Sequence, residues 1–209
     1  MIYRVALETA PGTLPVTVSE LKLQARTLYP GESDPFAGAE DPLLERLIDA
    51  SVQELDSPRG YLGRSLMPRT LRIIIDSVPN SEILLPGPPV SSVESVQYYK
   101  PDGTVGTIAA TDYKTDLSDT GWPAKIWHKT QWPETEDRPG RLWISYKAGY
   151  TNAAAVPSII KQAILVAAAT KYRDRESSVV GTIIAEHPHI MRALNNWRVF
   201  CAHEVQSWR

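Results

Sequence analysis

The pattern of apolar and polar positions divides the chain into a helical beginning, a β-rich middle and a second helical stretch. Val18, Leu21, Ala25 and Leu28 recur at helical spacing. They follow Thr17-Val18-Ser19-Glu20, a capping box in which the Thr hydroxyl and the Glu carboxylate satisfy backbone N–H groups, so a first helix is expected to about Tyr29. Residues 30–40 (PGESDPFAGAE) are polar and turn-rich and read as a loop. Asp41-Pro42 offers a capping carboxylate and a first-turn proline to a second helix, with Leu43, Leu44, Leu47, Ile48, Val52 and Leu55 on one face. Glu45, Arg46, Asp49, Gln53 and Glu54 form its solvated face, and Ser57-Pro58-Arg59-Gly60 ends it.

From Leu66 to Tyr146 the period becomes that of strands. Leu71, Ile73 and Ile75, then Ile83, Leu84 and Leu85, mark two strands separated by Ser77-Val78-Pro79-Asn80. Pro86-Gly87-Pro88-Pro89 forces a turn, and Val93, Val96, Tyr98 and Tyr99 form a third strand closed by the hairpin signal Pro101-Asp102-Gly103. Val105–Ala109, Tyr113–Leu117 and Lys125–His128 read as further short strands, and Leu142, Ile144 and Tyr146 alternate with Trp143, Ser145 and Lys147 in the last. About seven strands in this span predict an antiparallel sheet or small barrel inserted between helices.

Ala148-Gly149-Tyr150 ends that strand, and a long helix is predicted from Pro157 to Arg175, since no Gly or Pro intervenes before Gly181. Its middle, Ala163 to Ala169, is apolar on every face, whereas a surface helix carries a polar stripe. The run is bracketed by Lys161-Gln162 and Thr170-Lys171 and falls short of the ~20 apolar residues that cross a bilayer, so protein must cover it. That cover is either the subunit's own core or a neighbour. The expected fold is therefore α+β, a small helical bundle of two N-terminal helices plus the long C-terminal helix, with an inserted antiparallel β domain. The parts are 1–64, 65–150, 151–180 and a tail of 181–209, in which a short helix within Pro188–Phe200 carries Ile190, Met191, Leu194 and Trp197 on one face.

Composition narrows the function classes. The 209 residues with 43% hydrophobic content can bury one core, and a net charge of −2 lacks the basic footprint of a nucleic-acid binder. Cys201 is the single cysteine, which excludes an internal disulfide and a multi-thiolate zinc site and suits a reducing cytoplasm. The first residues, MIYRVALETAPG, have no secretory core.

Catalytic patterns are weak. His187 and His189 flank a proline and diverge in an extended segment, and Cys201 with His203 lacks an Asn or Asp partner. No phosphate loop, dinucleotide fingerprint or nucleophile elbow is present, so neither catalytic residues nor a cofactor or metal are expected. Lys171-Tyr172-Arg173-Asp174-Arg175-Glu176 reads either as cations favoured at a helix C-terminus or as an intersubunit ion-pair network. Trp122, Trp127 and Trp132 either pin loops to the sheet or form an aromatic platform for a glycan or peptide. Trp197, Phe200 and Trp208 make an aromatic tail that is unusual for a free end.

The order VTVSELK, EDPLLERLIDASVQEL, GYLGRSLMPRTLRI, ILLPGPPVSSVESVQYYKPDG and RLWISYKAGYTNAAAVPSIIKQAILVAAATKYRDRES resembles the head–tail connector (adaptor) proteins of long-tailed phages and gene transfer agents. The resemblance spans about residues 15–180; Pro58 interrupts where such proteins continue helix two toward the pair Gly63-Arg64, and the tail after Gly181 matches poorly. It implies a non-enzymatic virion-neck protein that forms a ring, usually a dodecamer, between the portal protein and the stopper or tail-completion protein. DNA passes through the channel without sequence-specific binding, and no membrane is involved. It places the ring contact on Ala163, Ala167, Ala168, Tyr172, Arg173, Arg175 and Glu176, and a portal-binding role on Leu194, Trp197, Phe200 and Trp208. The competing reading is a β-rich glycan- or peptide-binding module of a phage particle.

Overall fold

The computed structural model describes residues 3–25, 38–56, 60–79, 81–117, 123–173 and 188–199. In chain order these residues form β1 (Tyr3–Thr9), α1 (Val18–Gln24), α2 (Asp41–Leu55), β2 (Arg69–Ile75), β3 (Ile83–Leu85) and β4 (Val90–Tyr99). Then come β5 (Val105–Thr107), β6 (Tyr113–Asp116), β7 (Ala124–His128), β8 (Leu142–Ala148), a 3-10 turn (Ala153–Ala155), α3 (Ser158–Arg173) and α4 (Pro188–Asn195). Among the described residues the fold is mixed α+β, with four α-helices and two antiparallel sheets.

The larger sheet has the order β1-β2-β8-β4-β5 and the smaller β3-β7-β6. Alternation in β2 and β8 turns Leu71, Ile73, Ile75, Leu142, Ile144 and Tyr146 to one side, where they are buried against Ile83, Leu85, Ala124 and Ile126 of the smaller sheet. In the middle of this apolar layer the Tyr146 hydroxyl donates to the Pro86 carbonyl at 2.8 Å, which is the partner a buried phenol requires. On β4 the apolar residues Val90, Val93 and Val96 are three apart, a spacing that no flat strand keeps on one face. Irregularities between Val90 and Ser92 and between Val93 and Ser95 resolve this, because each inserts one residue and lets the three valines face Ala148, Tyr146 and Ile144 in turn. In the hairpin to β5, Gly103 takes φ +80, and the hydroxyl and amide of Thr104 hold the Asp102 carboxyl below its ordinary range.

A second apolar layer joins the helices, with Leu21, Leu44, Ile48, Leu55, Ile160, Ile164, Ala168 and Leu194 all buried together. The Thr17–Glu20 capping box forms as the sequence predicts: Glu20 N–H donates to Thr17 Oγ1 at 3.2 Å, and Thr17 N–H to Glu20 Oε2 at 2.7 Å. Two sequence expectations need correction. The first helix ends at Gln24 with Ala25 as its cap, and residues 26–29 lie outside the described residues. Asp41 does not cap α2: Glu40 is the N-cap without a side-chain bond, and the Asp41 carboxylate instead pairs with Lys22 at 2.7 Å, tying α1 to α2.

The strand β1 is absent from the sequence reading. Its signal is present all the same, as Tyr3, Val5 and Leu7 alternate with Arg4, Ala6 and Glu8. Between the two apolar layers runs the segment from Tyr61 to Pro68, in which Leu62, Leu66 and Met67 are buried with the helices. There Asp56 accepts a hydrogen bond from Leu66 N–H at 2.8 Å and forms a buried ion pair with Arg69 at the start of β2, so one carboxylate links α2 to the larger sheet.

Candidate assembly interface

The sequence of α3 is apolar around its whole circumference at Ala163–Ala169, and the structure divides that circumference in two. Ile160, Ala163, Ile164, Ala167, Ala168 and Thr170 form the inward arc, packed in the helical layer with α1, α2 and α4. Ile159, Leu165, Val166 and Ala169 form a half-buried outer arc, interleaved with exposed Ser158, Gln162 and Arg173. The low amphipathicity of the sequence thus reflects an outer face that is itself partly apolar. Gln162 Nε2 donates to Gln24 Oε1 at 3.3 Å, which fastens α3 to the end of α1.

Among the candidate ring residues, Ala163, Ala167 and Ala168 are only 6%, 4% and 0% exposed, and the chain's own helices already cover them. Tyr172 is half-buried, and its hydroxyl donates to Glu40 Oε2 at 2.6 Å, closing the end of α3 onto the start of α2. Lys171 Nζ bonds Glu54 at 2.9 Å and Ser51 at 3.1 Å on α2, so part of the charged cluster serves the subunit itself. Arg173 is exposed at the end of the helix, while Arg175 and Glu176 lie outside the described residues.

The candidate portal-binding residues meet a similar division. Leu194 is fully buried in the helical layer. Trp197 is half-buried: its carbonyl accepts from Arg64 Nε at 2.6 Å, and the same guanidinium lies 5.9 Å from its ring centroid. Val199 N–H donates to the Leu62 carbonyl at 2.8 Å, and Asn195 accepts from the Tyr61 hydroxyl at 2.5 Å. Phe200 and Trp208 lie outside the described residues.

Gly63 is the residue that admits this C-terminal segment. It has φ +61, and a Cβ there would overlap the Val199 carbonyl oxygen. Gly63→Ala is expected to displace residues 197–199 while leaving the sheets in place, and limited proteolysis should then cut the C-terminal segment several-fold faster. An unchanged cleavage pattern would show that this docking tolerates a side chain.

Among the described residues of the β-rich half, Val93, Ala110, Tyr113, Lys114, Thr115 and Trp127 line an open groove of ≈ 410 Å³, and burial pushes the Tyr113 phenol up. Of the three tryptophans of the expected aromatic platform, Trp132 is 7% exposed and packs on His128 at 5.5 Å within the β core, Trp127 lines the groove, and Trp122 lies outside the described residues. His189 is exposed on α4, whereas His187, Cys201 and His203 lie outside the described residues. Among the described residues no three His, Cys, Asp or Glu side chains are grouped to hold a metal ion, and no helix is long and apolar enough to cross a membrane.

No family model matches the chain, and no curated protein matches it. Solved structures do. The chain is similar to one in the neck of an empty GTA particle computed with C6 symmetry, at 22% identity and TM-score 0.74, covering 95% of this chain and 97% of the other. It is also similar to a chain in the virion of a native gene transfer agent (GTA) particle, at 20% identity and TM-score 0.72 over 95% and 96% of the two chains. A third likeness is to a chain in the neck of a native GTA particle computed with C12 symmetry, at 20% identity and TM-score 0.59 over 94% and 97%. The likeness shows a shared fold. It takes in the helical layer and both sheets together, since nearly the whole of each chain is covered.

Proposed function

We propose that this chain is a structural subunit of a virion neck, a head–tail connector that closes into a ring between the portal protein and the stopper or tail-completion protein. The observation that carries the reading is the end-to-end fold likeness to chains from GTA necks determined with sixfold and twelvefold symmetry. The order of motifs along residues 15–180 supports it independently of the fold. A dodecamer leaves an axial channel for DNA, and a net charge of −2 suits a wall along which DNA slides without binding. The division into a helical part and a β part belongs to the same reading, with the strand Tyr3–Thr9 joining the sheet built from residues 65–150. The protein is on this account no enzyme.

A cyclic ring needs head-to-tail contacts between two different surfaces of each subunit. The outer arc of α3 is our candidate for one of them. Ala163, Ala167 and Ala168 seat the helix in its own subunit, and Leu165, Val166 and Ala169 offer apolar area to the neighbour, with Arg173 at the charged end. Ala169→Lys tests this directly, because Lys is a good helix former whose stem lies along a half-buried surface. The variant is expected to keep its helical signal and melting temperature within a few degrees, yet to lose ring formation on purified portal in sedimentation. Rings formed as well as by the wild type would exclude this face. For the C-terminal segment, a portal-binding role falls to Trp197, whose backbone Arg64 holds while its ring stays half-exposed.

A further inference from the structure

The larger sheet ends on β1, whose outer edge pairs with no strand among the described residues. Edge strands are commonly shielded by charged side chains, especially Lys, by Pro, by bulges or by a covering segment. Tyr3–Thr9 contains neither Lys nor Pro, and its ladder to β2 is regular from Tyr3 to Leu7, with an irregularity only between Leu7 and Thr9. Leu7 is 55% exposed, more than any other large hydrophobic among the described residues. It lies opposite Leu71 on the inner side of the sheet, as Val5 lies opposite Ile73. Arg4 and Glu8 lie on the outer side, where Asp76 is 3.6 Å from Arg4 and Arg72 pairs with Glu8.

Read antiparallel about Ala6, the segment Arg4-Val5-Ala6-Leu7-Glu8 is complementary to itself. Arg4 falls opposite Glu8, Val5 opposite Leu7, and Ala6 opposite its own copy. We propose that two copies of this chain pair edge to edge through β1, antiparallel about a two-fold axis at Ala6. Residues directly opposite in such a pair have side chains on the same side of the sheet. Leu7 is then covered by Val5 of the second copy. On the outer side the charges alternate in one row: Asp76, Arg4, Glu8 of the second copy, Arg72 of the second copy.

This contact goes beyond the neck reading and does not depend on it. A two-fold contact is isologous and closes on itself, whereas a cyclic ring is built head to tail. The pair is therefore a state of the free subunit, in which the β1 edge is used up and cannot template open-ended growth. Five residue pairs bury far less than the ~1,200 Å² of a standard stable interface, so the dimer depends on concentration.

Sedimentation velocity over roughly 10 μM to 1 mM tests the proposal. The wild type is expected to pass from monomer toward dimer. Arg4→Glu sets acid against acid across the axis and Glu8→Arg sets base against base, so each variant alone stays monomeric. An equimolar mixture of the two variants restores both opposite-charge pairs across the axis, between positions 4 and 8 of the two copies, and is expected to dimerise. A wild type that is monomeric throughout, or that passes to a large ring with no dimer, overturns the proposal. So do single variants that dimerise as the wild type does, or a mixture that stays monomeric. Circular dichroism checks that each variant is folded, and if a charge variant is not, Leu7→Lys on the opposite side of the strand serves instead. Loss of the dimer supports the contact, and its retention overturns it.

Discussion

Asp56→Ala is expected to destabilise the protein by about 3–5 kcal/mol, the cost of leaving one member of a buried ion pair without its partner. Asp56 and Arg69 are both nearly inaccessible, and the carboxylate also accepts the Leu66 amide at 2.8 Å. Removing it strands a guanidinium and a backbone N–H at the point where α2 hands the chain to the larger sheet. With total stabilities of ~5–15 kcal/mol, a loss of this size brings the variant close to unfolding. Urea titration followed by circular dichroism measures it as a lower midpoint. A companion variant, Asp56→Leu with Arg69→Met, replaces both charges by apolar groups and is expected to recover most of the loss. A midpoint unmoved by Asp56→Ala would mean that the pair is solvated and does not hold the two halves together.

Ala168→Asp is expected to unfold the helical layer. Ala168 has no exposed surface and is buried in one layer with Ile48, Leu55 and Ile164, so an aspartate would be shut off from water, while Lys171, one turn along, already bonds Glu54 and Ser51. Burying such a carboxylate costs several kcal/mol whether it stays ionised or takes up a proton. The expected outcome is loss of helical circular dichroism at 25 °C, or expression only as aggregate. One position along, Ala169→Lys is expected to leave the fold intact and act on assembly alone. This contrast between neighbouring alanines separates the inward arc of α3 from its outer arc. A folded Ala168→Asp protein would place that side of the helix at a surface.

What could be read in the sequence was local. The Thr17–Glu20 box, the apolar face of α2, the Pro101-Asp102-Gly103 hairpin and the strand β8 each carry their signal within a few residues, and the structure contains them all. The apolar circumference of α3 pointed to a helix with two covered sides, but not to which alanine faces which way. That is set by where α1, α2 and α4 lie, and helix packing depends on partners distant in sequence. The link from Asp56 to Arg69 escaped for the same reason, since nothing in its spacing distinguishes it from a surface pair. On β4 the three-residue spacing of valines was visible but made sense only with the irregularities that pair it to β8. Of the tail aromatics, Trp197 is held by Arg64 of the same chain, a contact that spans 133 residues and that no local pattern announces.

A neck ring built from this fold should be visible on its portal. The most direct measurement is single-particle imaging of the purified chain mixed with its portal protein. We expect a closed ring of about twelve copies seated coaxially on the portal, with the outer arc of α3 against the adjacent subunit. Portal particles that remain bare at saturating concentrations of the folded chain would contradict it.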